Sequence, residues 1–474
     1  MLPNPLSPST TLPTFLSSLR SHLLSPTFRT PFSFLLLGLI NNILYVIILS
    51  AALDLVGPSL PKALVLLFDV APSFMIKLVA PYFIHRVSYP HRVWACVLCA
   101  MAGMALVALS PSSVPLPPGP GAQGQGGLRA TVKGWLGKED SPADRRPDGA
   151  EVATKLFGIA LASLASGAGE LSFLALTSFY GPGALAAWGS GTGAAGLVGA
   201  GVYVLATTTW GLSVRTSLGA FSFLPLVMLG AYFVVLPRKG SGLREAEGYA
   251  PVMEEEEGDS EEREEEEGGA ERGLLARERA GGGEVKREAG LTANLKRARS
   301  LVVPYMLPLF LVYLSEYTIN QGVTPTLLYP LKETPFEHYR DFYPTYGALY
   351  QLGVFISRSS LPFIRIQTLY LPSILQCGNL VLLILQAMYF TILPSVWIVF
   401  LVIFWEGLLG GIVYVSTFRR IGEEIPPADR EFSLAAATVS DSAGICVASF
   451  LGMVVETSLC RWQVGRGRDW CRRL

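Results

Sequence analysis

Ionisable and amide side chains interrupt several stretches of sequence that are otherwise apolar. The clearest case is VYLSEYTINQGV, which carries Glu316, Asn320 and Gln321. A charge at membrane depth costs at least ~2.5 kcal/mol on insertion scales, so such groups face a cavity or a partner. We therefore treat them as candidates for a substrate or proton pathway. The other members of this set are Asn41, Asn42, Asp69, Lys77, Glu170, Arg358, Glu406 and Asp441.

The chemistry of these side chains allows two signs of cargo. Glu170, Glu316 and Glu406 are candidates for carrying protons or for meeting a cationic substrate. Lys77 and Arg358 are candidates for contacting an anionic group such as a phosphodiester. A structural role stays open for each of them, because a buried carboxylate can cross-link helices and Lys77 can pair with an acid on a facing helix.

The apolar stretches around these residues are long enough to cross a bilayer, which needs about 20 residues per helix. Hydrophobic residues make up 50% of the chain and charged residues 16%, against roughly 25% charged residues in soluble domains, so the composition argues against a water-soluble class. The stretches lack the alternation of barrel strands, and we predict an all-α polytopic membrane protein. About eleven spans are expected: Phe32–Ala52, Leu60–Ile84, Val93–Leu109, Leu156–Tyr180, Ala184–Thr208, Thr216–Leu236, Leu301–Gly322, Phe342–Leu361, Leu369–Ile392, Ser395–Val415 and Phe432–Val455.

Two polar segments divide the spans into two halves. Residues 32–236 form an N-terminal six-helix half with a disordered lumenal loop at 110–150, and residues 301–459 form the C-terminal half. Between them, residues 237–300 contain MEEEEGDSEEREEEEGG and are expected to be a disordered acidic cytosolic loop. A cytosolic tail at 1–31 and a basic tail at 460–474 complete the chain. This layout resembles the major facilitator architecture, in which helices one, four, seven and ten line a central cavity.

Basic residues in the short loops place the N-terminus in the cytosol, because Lys and Arg accumulate on that side of a membrane. The loops HRVSYPHRVW and TFRRIGEEIPPADRE both fit this orientation. An odd number of spans then sends the arginine-rich tail CRWQVGRGRDWCRRL to the opposite side, against the same rule. The side of this tail stays open at this point.

No cofactor, metal site or enzymatic motif is expected. The six cysteines show no disulfide framework, and Cys471 is a weak prenylation candidate because arginines occupy the aliphatic positions. The run GSGTGAAG has dinucleotide-fingerprint spacing, but no strand precedes it, and we interpret its small residues as a helix-packing surface.

Several blocks resemble the battenin family, that of the Batten disease protein, and in particular its fungal vacuolar members. They include LLFDVAPSFMIKLVAP, VYLSEYTINQGV, LYQLGVFISRSSL and DREFSLAAATVSDSAGI, and they occur in both halves. The resemblance implies a multi-pass protein of the vacuolar or lysosomal membrane that takes part in vacuole pH homeostasis. It also implies transport of basic amino acids or export of glycerophosphodiesters.

Two functions from different classes follow. The first is a transporter whose partners are membrane lipids and one of these small substrates. The alternative is a non-transporting membrane organiser that affects pH and trafficking through cytosolic proteins, such as trafficking factors or regulators of the proton pump. Nucleic acid is not expected as a partner of either.

Overall fold

A computed structural model describes residues 20, 21, 23–51, 62–110, 149–237 and 293–472. Throughout these ranges the secondary structure is helical, and no strand is formed within them. Ten of the helices are long and apolar enough to cross a membrane. The predicted all-α polytopic fold is therefore confirmed.

Within the described residues, eleven long helices follow one another along the chain. Proline occupies one of the first two positions of α1, α3 and α5, where its missing N–H group costs no helical hydrogen bond. The helices are α1 (Pro26–Ser50), α2 (Lys62–Val79), α3 (Tyr89–Leu109), α4 (Gly149–Leu176), α5 (Pro182–Val204), α6 (Val214–Val235), α7 (Ala293–Thr326), α8 (Phe342–Ser359), α9 (Tyr370–Tyr389), α10 (Val396–Glu424) and α11 (Pro427–Val464).

Two predicted boundaries are corrected. Helix α7 is already formed at Ala293, the first described residue of this part of the chain and inside the segment expected to be disordered up to residue 300. ANLKRARS is composed largely of good helix formers. Helix α11 extends to Val464, beyond the expected end of the C-terminal half at residue 459. Residues 1–19, 111–148 and 238–292, which contain most of the predicted tail and loops, lie outside the described residues.

The helices pack as two bundles that meet along two seams. In the first bundle α1 packs on α5, and α4 packs on both α2 and α3. In the second, α8 packs on α10 and α7 packs on α11. The bundles meet where α5 contacts α8 and where α2 contacts α11. The predicted two-half bundle is therefore the observed architecture.

The glycine-rich run of α5 serves this packing, as its sequence interpretation expects. A Cβ at Gly191 would collide with the carbonyl oxygen of Leu35 in α1, and one at Gly193 would lie 3.1 Å from the Cα of Phe355 in α8. Small side chains therefore let α5 contact both a helix of its own half and a helix of the other half.

Helix α7 changes its winding beside the opening motif. Residues Ile319–Val323 form a π-helical turn, and such turns are frequent at functional sites. Gly322 within this turn approaches α11 so closely that a Cβ there would lie 2.9 Å from the Cα of Gly452. The turn therefore redirects the amide side chains of Asn320 and Gln321 relative to Glu316.

We call the face of the molecule where α1 begins the N-terminal face. The end of α11 lies at the opposite face. Gln463 donates hydrogen bonds from its Nε2 to the carbonyl oxygens of Thr326 (3.0 Å) and Ala387 (2.8 Å), near the ends of α7 and α9. Beyond α11 the chain turns at Gly467, whose φ of 82° favours glycine. Each long helix runs from one face to the other, so an odd number of helices places the two ends of the described chain at opposite faces.

That turn brings Cys471 back to α11, where it forms a disulfide with Cys460 at a Cα–Cα distance of 5.8 Å. The interpretation that the cysteines contain no disulfide pair is wrong for these two residues. Their sequence separation does not reveal the pairing, because it depends on the reversal of the chain at Gly467. A thiol held in a disulfide is not free for prenylation.

We expect Cys471 to be unreactive toward a maleimide-polymer reagent in the intact protein and to react only after reduction. Disulfides persist in oxidising compartments, so the segment is expected on the lumenal side. The measurement is a gel shift of the denatured full-length protein, and the control Cys460→Ser should make Cys471 reactive without reductant. A prenyl group on Cys471, or its labelling before reduction, would contradict the pairing.

Candidate functional site

Lys77 lies near the end of α2, and its side chain is almost completely buried. Its Nζ donates hydrogen bonds to Glu170 Oε2 on α4 (2.6 Å) and to Ser442 Oγ on α11 (2.8 Å). The Nζ also lies 3.3 Å from Asp441 Oδ1. We call Lys77, Glu170 and Asp441 the inter-half cluster, because its members come from both bundles.

This geometry favours the structural one of the two roles considered for Lys77. Its partners are acidic side chains on facing helices, so its charge is already compensated without a substrate. Asp69, two turns away on α2, is not among these partners, as the axial separation predicts. Backbone geometry helps to fix the cluster, because the Ser442 N–H donates to Asp441 Oδ1 over 2.6 Å at the start of a helical segment.

A second contact joins the bundles on the same side of the molecule. The hydroxyl of Tyr89, at the start of α3, donates a hydrogen bond to Glu431 Oε1 in the first turns of α11 (2.6 Å). The inter-half cluster also lies toward this side. Lys77 is near the end of α2, and Asp441 follows Pro427–Ala437, the first helical segment of α11. Charge and hydrogen bonds therefore link the two bundles near the N-terminal face.

Arg358 on α8 is linked to the inter-half cluster through an aromatic side chain. Its Nη1 donates to Thr192 Oγ1 (2.9 Å), and its Nη2 donates to the hydroxyl of Tyr313 (2.8 Å). The guanidinium lies 4.1 Å from the ring centre of Tyr414, whose hydroxyl donates to Glu170 Oε1 (2.8 Å). Within the described chain, Arg358 Nε has no hydrogen-bond partner. This cation is therefore held by hydroxyl groups and a ring and forms no salt bridge to a described carboxylate.

Glu316 on α7 is 1% exposed. Its Oε1 accepts a hydrogen bond from the hydroxyl of Tyr350 on α8, while its Oε2 is buried and has no partner among the described residues. The free oxygen lies against Gly410 of α10, where a Cβ would collide with it. A glycine at this position of α10 thus provides the space that the carboxylate occupies.

Two further carboxylates share this incomplete pairing. Glu406 on α10 is fully buried, and its Oε1 accepts from Asn320 Nδ2 in the π-helical turn of α7 (3.3 Å). Glu406 Oε2 and Asp69 Oδ2 are buried without a hydrogen-bond partner in the described ranges. We call Asp69, Glu316 and Glu406 the unpaired carboxylates, because none of them contacts a lysine or arginine there.

The remaining candidate amides have local roles. Asn41 Nδ2 donates to the carbonyl oxygen of Ser166 (3.1 Å), and the Ser166 hydroxyl donates back to the carbonyl oxygen of Asn41 (3.1 Å), which ties α1 to α4. Asn42 bonds within its own helix, to the carbonyl oxygen of Gly38 (3.1 Å). Gln321 lies close to the hydroxyl of Tyr343 on α8. The structure does not bring these three amides into contact with Glu316, and their pathway role stays a prediction.

Sequence reasoning missed the tyrosines that surround the charged groups. Tyr45 and Tyr317 share a hydroxyl contact of 3.3 Å that joins α1 to α7. Tyr313 stacks on Tyr317 with ring centres 6.0 Å apart and lies 6.4 Å from Tyr414. The positions of Tyr313 and Tyr317, close to Glu316 in the sequence, were the available signal that tyrosines surround this carboxylate. It was weak because tyrosine is common in membrane helices near their ends.

The charged groups of this site fall into three kinds. In the part of the chain that the structure describes, no cluster of three or more His, Cys, Asp or Glu residues could hold a metal ion. The charged site consists of a compensated inter-half cluster, a lone guanidinium among hydroxyl groups and the unpaired carboxylates. Such a set can bind a small charged group and exchange protons.

Known proteins similar to this chain include proteins of fungi and one bacterial protein of solved structure. Protein btn1 of Aspergillus fumigatus is 55% identical over 488 residues, covering 100% of this chain and 97% of the relative. Protein btn-1 of Neurospora crassa is 50% identical over 489 residues, with the same coverage. A bacterial homologue of the iron transporter ferroportin, in its outward-facing state, matches with a TM-score of 0.51 at 14% identity, over 93% of this chain and 100% of that one.

The structural likeness at this identity shows the fold alone, and it agrees with the two-bundle arrangement described above. The chain is a multi-pass membrane protein, and its fold is similar to that of this bacterial protein. The family model described as CLN3 protein matches residues 32–462. The resemblance carried by VYLSEYTINQGV and the other blocks is thereby confirmed, and the chain belongs to the CLN3 protein family, the family of battenin.

Proposed function

We propose that this chain is a proton-coupled transporter of a small charged solute in the vacuolar membrane, and that it influences vacuole pH through this coupling. The vacuolar location rests on the resemblance to fungal vacuolar members of the family. The coupling rests on the buried charges.

The observation that carries the proposal is the set of unpaired carboxylates. A carboxylate at membrane depth without a cationic partner is expensive, and residues of this kind mark proton relays and ion or substrate pathways. Asp69, Glu316 and Glu406 each keep one buried oxygen without a hydrogen-bond partner in the described ranges. A proton or a cationic group of the cargo would satisfy these oxygens.

The balance of charge favours a cationic cargo, a basic amino acid such as arginine. The lysine of the inter-half cluster is compensated by its two acids, and the other charged groups described above at this site are the unpaired carboxylates and Arg358. An arginine substrate would bring one guanidinium for a carboxylate such as Glu316. Its own α-carboxylate would then have Arg358 as a partner.

Arg358 supports a second candidate cargo, a glycerophosphodiester. Its guanidinium contacts only hydroxyl groups and a ring, and its Nε has no partner in the described structure. A phosphodiester can form two parallel hydrogen bonds with such a group. On this reading Lys77 does not contribute, because it is committed to the inter-half cluster.

The test is uptake by liposomes that contain only the purified protein, with arginine or glycerophosphocholine supplied under an imposed pH gradient. We expect arginine uptake that collapses when a protonophore removes the gradient. Uptake of glycerophosphocholine alone, abolished in Arg358→Lys because the planar fork is lost, would support the second cargo instead. Folded protein that moves neither solute would favour the alternative, a membrane organiser that acts through trafficking or pump-regulating partners.

A further inference from the structure

The end of α11 carries a pocket that the transport site does not use. It has a volume of about 440 Å³ and is open to the surface. Arg461, Trp462 and Arg466 are exposed within it. The pocket lies at the face opposite to the N-terminal face and is lined by Ser458, Arg461, Trp462, Gly465 and Arg466.

The positive charge of this pocket is not compensated. Neither Arg461 nor Arg466 forms a salt bridge to a carboxylate in the described part of the chain. Arg468 lies close by, and its burial, together with the charge of Arg466, lowers its pKa. Its Nη1 has no hydrogen-bond partner among the described residues. An anion at the pocket would relieve this repulsion.

Aromatic rings hold the arginine side chains in place. The guanidinium of Arg466 lies 4.1 Å from the ring centre of Trp462 and 5.7 Å from that of Tyr389 on α9. The Trp462 indole N–H is itself fixed by donating to the carbonyl oxygen of Met388 (3.3 Å). Stacking leaves the N–H edge of Arg466 available, so the pocket is partly ordered before any ligand binds.

The segment after α11 is also anchored on both sides of the pocket. The Cys460–Cys471 disulfide joins it to the helix. Trp470 packs on Phe390 with ring centres 6.0 Å apart. The turn that carries Arg466 and Arg468 is therefore attached to α11 and to the end of α9.

An exposed apolar surface leads along α11 directly to this pocket. Its residues recur three or four positions apart and continue in register to Ser458 and Arg461, so they share one side of the helix. In a membrane this surface faces lipid tails, and the pocket then lies at the level of the headgroups. The stripe consists of Val447 (42% exposed), Phe450 (54%), Leu451 (42%) and Val454 (64%).

We infer that this pocket binds the phosphate of an anionic phospholipid, with Arg461 and Arg466 as the contacts and the acyl chains along the stripe from Val447 to Val454. A free phosphate would use the arginines but gain nothing from the apolar stripe. Binding also explains why a basic cluster occurs on the side of the membrane that the distribution of Lys and Arg otherwise disfavours. The inference does not depend on which solute the protein transports.

The test titrates the detergent-solubilised full-length protein with phosphatidylglycerol, phosphatidylcholine or inorganic phosphate and follows its unfolding temperature. We expect stabilisation by phosphatidylglycerol alone. The double variant R461A/R466A should bind this lipid at least about tenfold more weakly, because it removes both charged contacts to the phosphate. Its unfolding temperature without lipid should be unchanged, since both side chains are exposed.

Two control variants separate the sources of the phosphate. Arg365→Ala removes an exposed arginine from the loop between α8 and α9, near the N-terminal face, and should leave the lipid affinity unaltered. Val454→Gln should weaken binding of phosphatidylglycerol. Equal affinity for inorganic phosphate, with no effect of Val454→Gln, would overturn the lipid assignment. Undiminished lipid binding by R461A/R466A would overturn the site itself.

Discussion

Replacing Lys77 by alanine is expected to destabilise the protein by about 3–5 kcal/mol, because it leaves the carboxylates of Glu170 and Asp441 buried together without a cation. The measurement is the free energy of unfolding in a detergent–denaturant titration. A triple variant, Lys77→Met with Glu170→Gln and Asp441→Asn, removes all three charges at similar volume. It should recover most of the loss, since a buried charged cluster contributes little beyond mutual compensation.

The matched control is Lys155→Ala. Lys155 is also 2% exposed, but its Nζ pairs with Glu151 one turn away on the same helix (2.8 Å). Its loss leaves no carboxylate without a cation between the two bundles. The decrease in the free energy of unfolding should therefore be clearly smaller than for Lys77→Ala. An unfolding free energy that is equal in Lys77→Ala and the unmodified protein would show that the inter-half cluster does not compensate charge as described.

Replacing Glu316 by glutamine is expected to reduce proton-coupled uptake by roughly tenfold or more, which corresponds to the 1.5–3 kcal/mol of one charged hydrogen bond. Glutamine keeps the shape that fits against Gly410 and keeps an acceptor for Tyr350, so the fold should persist. It cannot take up or release a proton. The measurement is uptake by liposomes across a series of external pH values, and the remaining uptake should lose its pH dependence.

Glu423→Gln provides the control for this variant. Glu423 lies near the end of α10, is largely exposed and pairs with Arg419 at 2.8 Å. Its neutralisation removes a carboxylate of the same helix bundle outside the buried site, and uptake should be unchanged. If Glu316→Gln retains both the rate and the pH dependence of the unmodified protein, Glu316 is not part of the proton pathway.

The structure also redistributes the roles expected of the other carboxylates. Glu170 was grouped with Glu316 and Glu406 as a proton carrier, but it accepts from both Lys77 and Tyr414. Its exchange for glutamine is therefore expected to affect the inter-half cluster before it affects transport. Asp69, a candidate without an assigned role, is instead grouped with Glu316 and Glu406 by its unpartnered oxygen.

The sequence by itself determined the class of the protein, its helices and the set of intramembrane polar residues. The physical reason is that a bilayer has no water to satisfy backbone groups, so an apolar run of sufficient length has to be a helix. Even the weakly apolar helix α8, with Arg358 near its end, could be placed in this way. The boundaries at Ala293 and Val464 were less certain, because helices continue into water wherever good helix formers follow.

Only the tertiary structure decided which of these residues meet. Lys77 and Asp441 are 364 positions apart, and their contact depends on how α2 and α11 are rotated and how closely they approach. Helical periodicity determines on which side of its helix a residue lies, but not which other helix that side contacts. The same limit applies to the space beside Gly410 that receives Glu316, and to the turn at Gly467 that pairs Cys471 with Cys460. Packing between distant segments, which no local pattern encodes, therefore decided which charges are compensated and which stay unpaired.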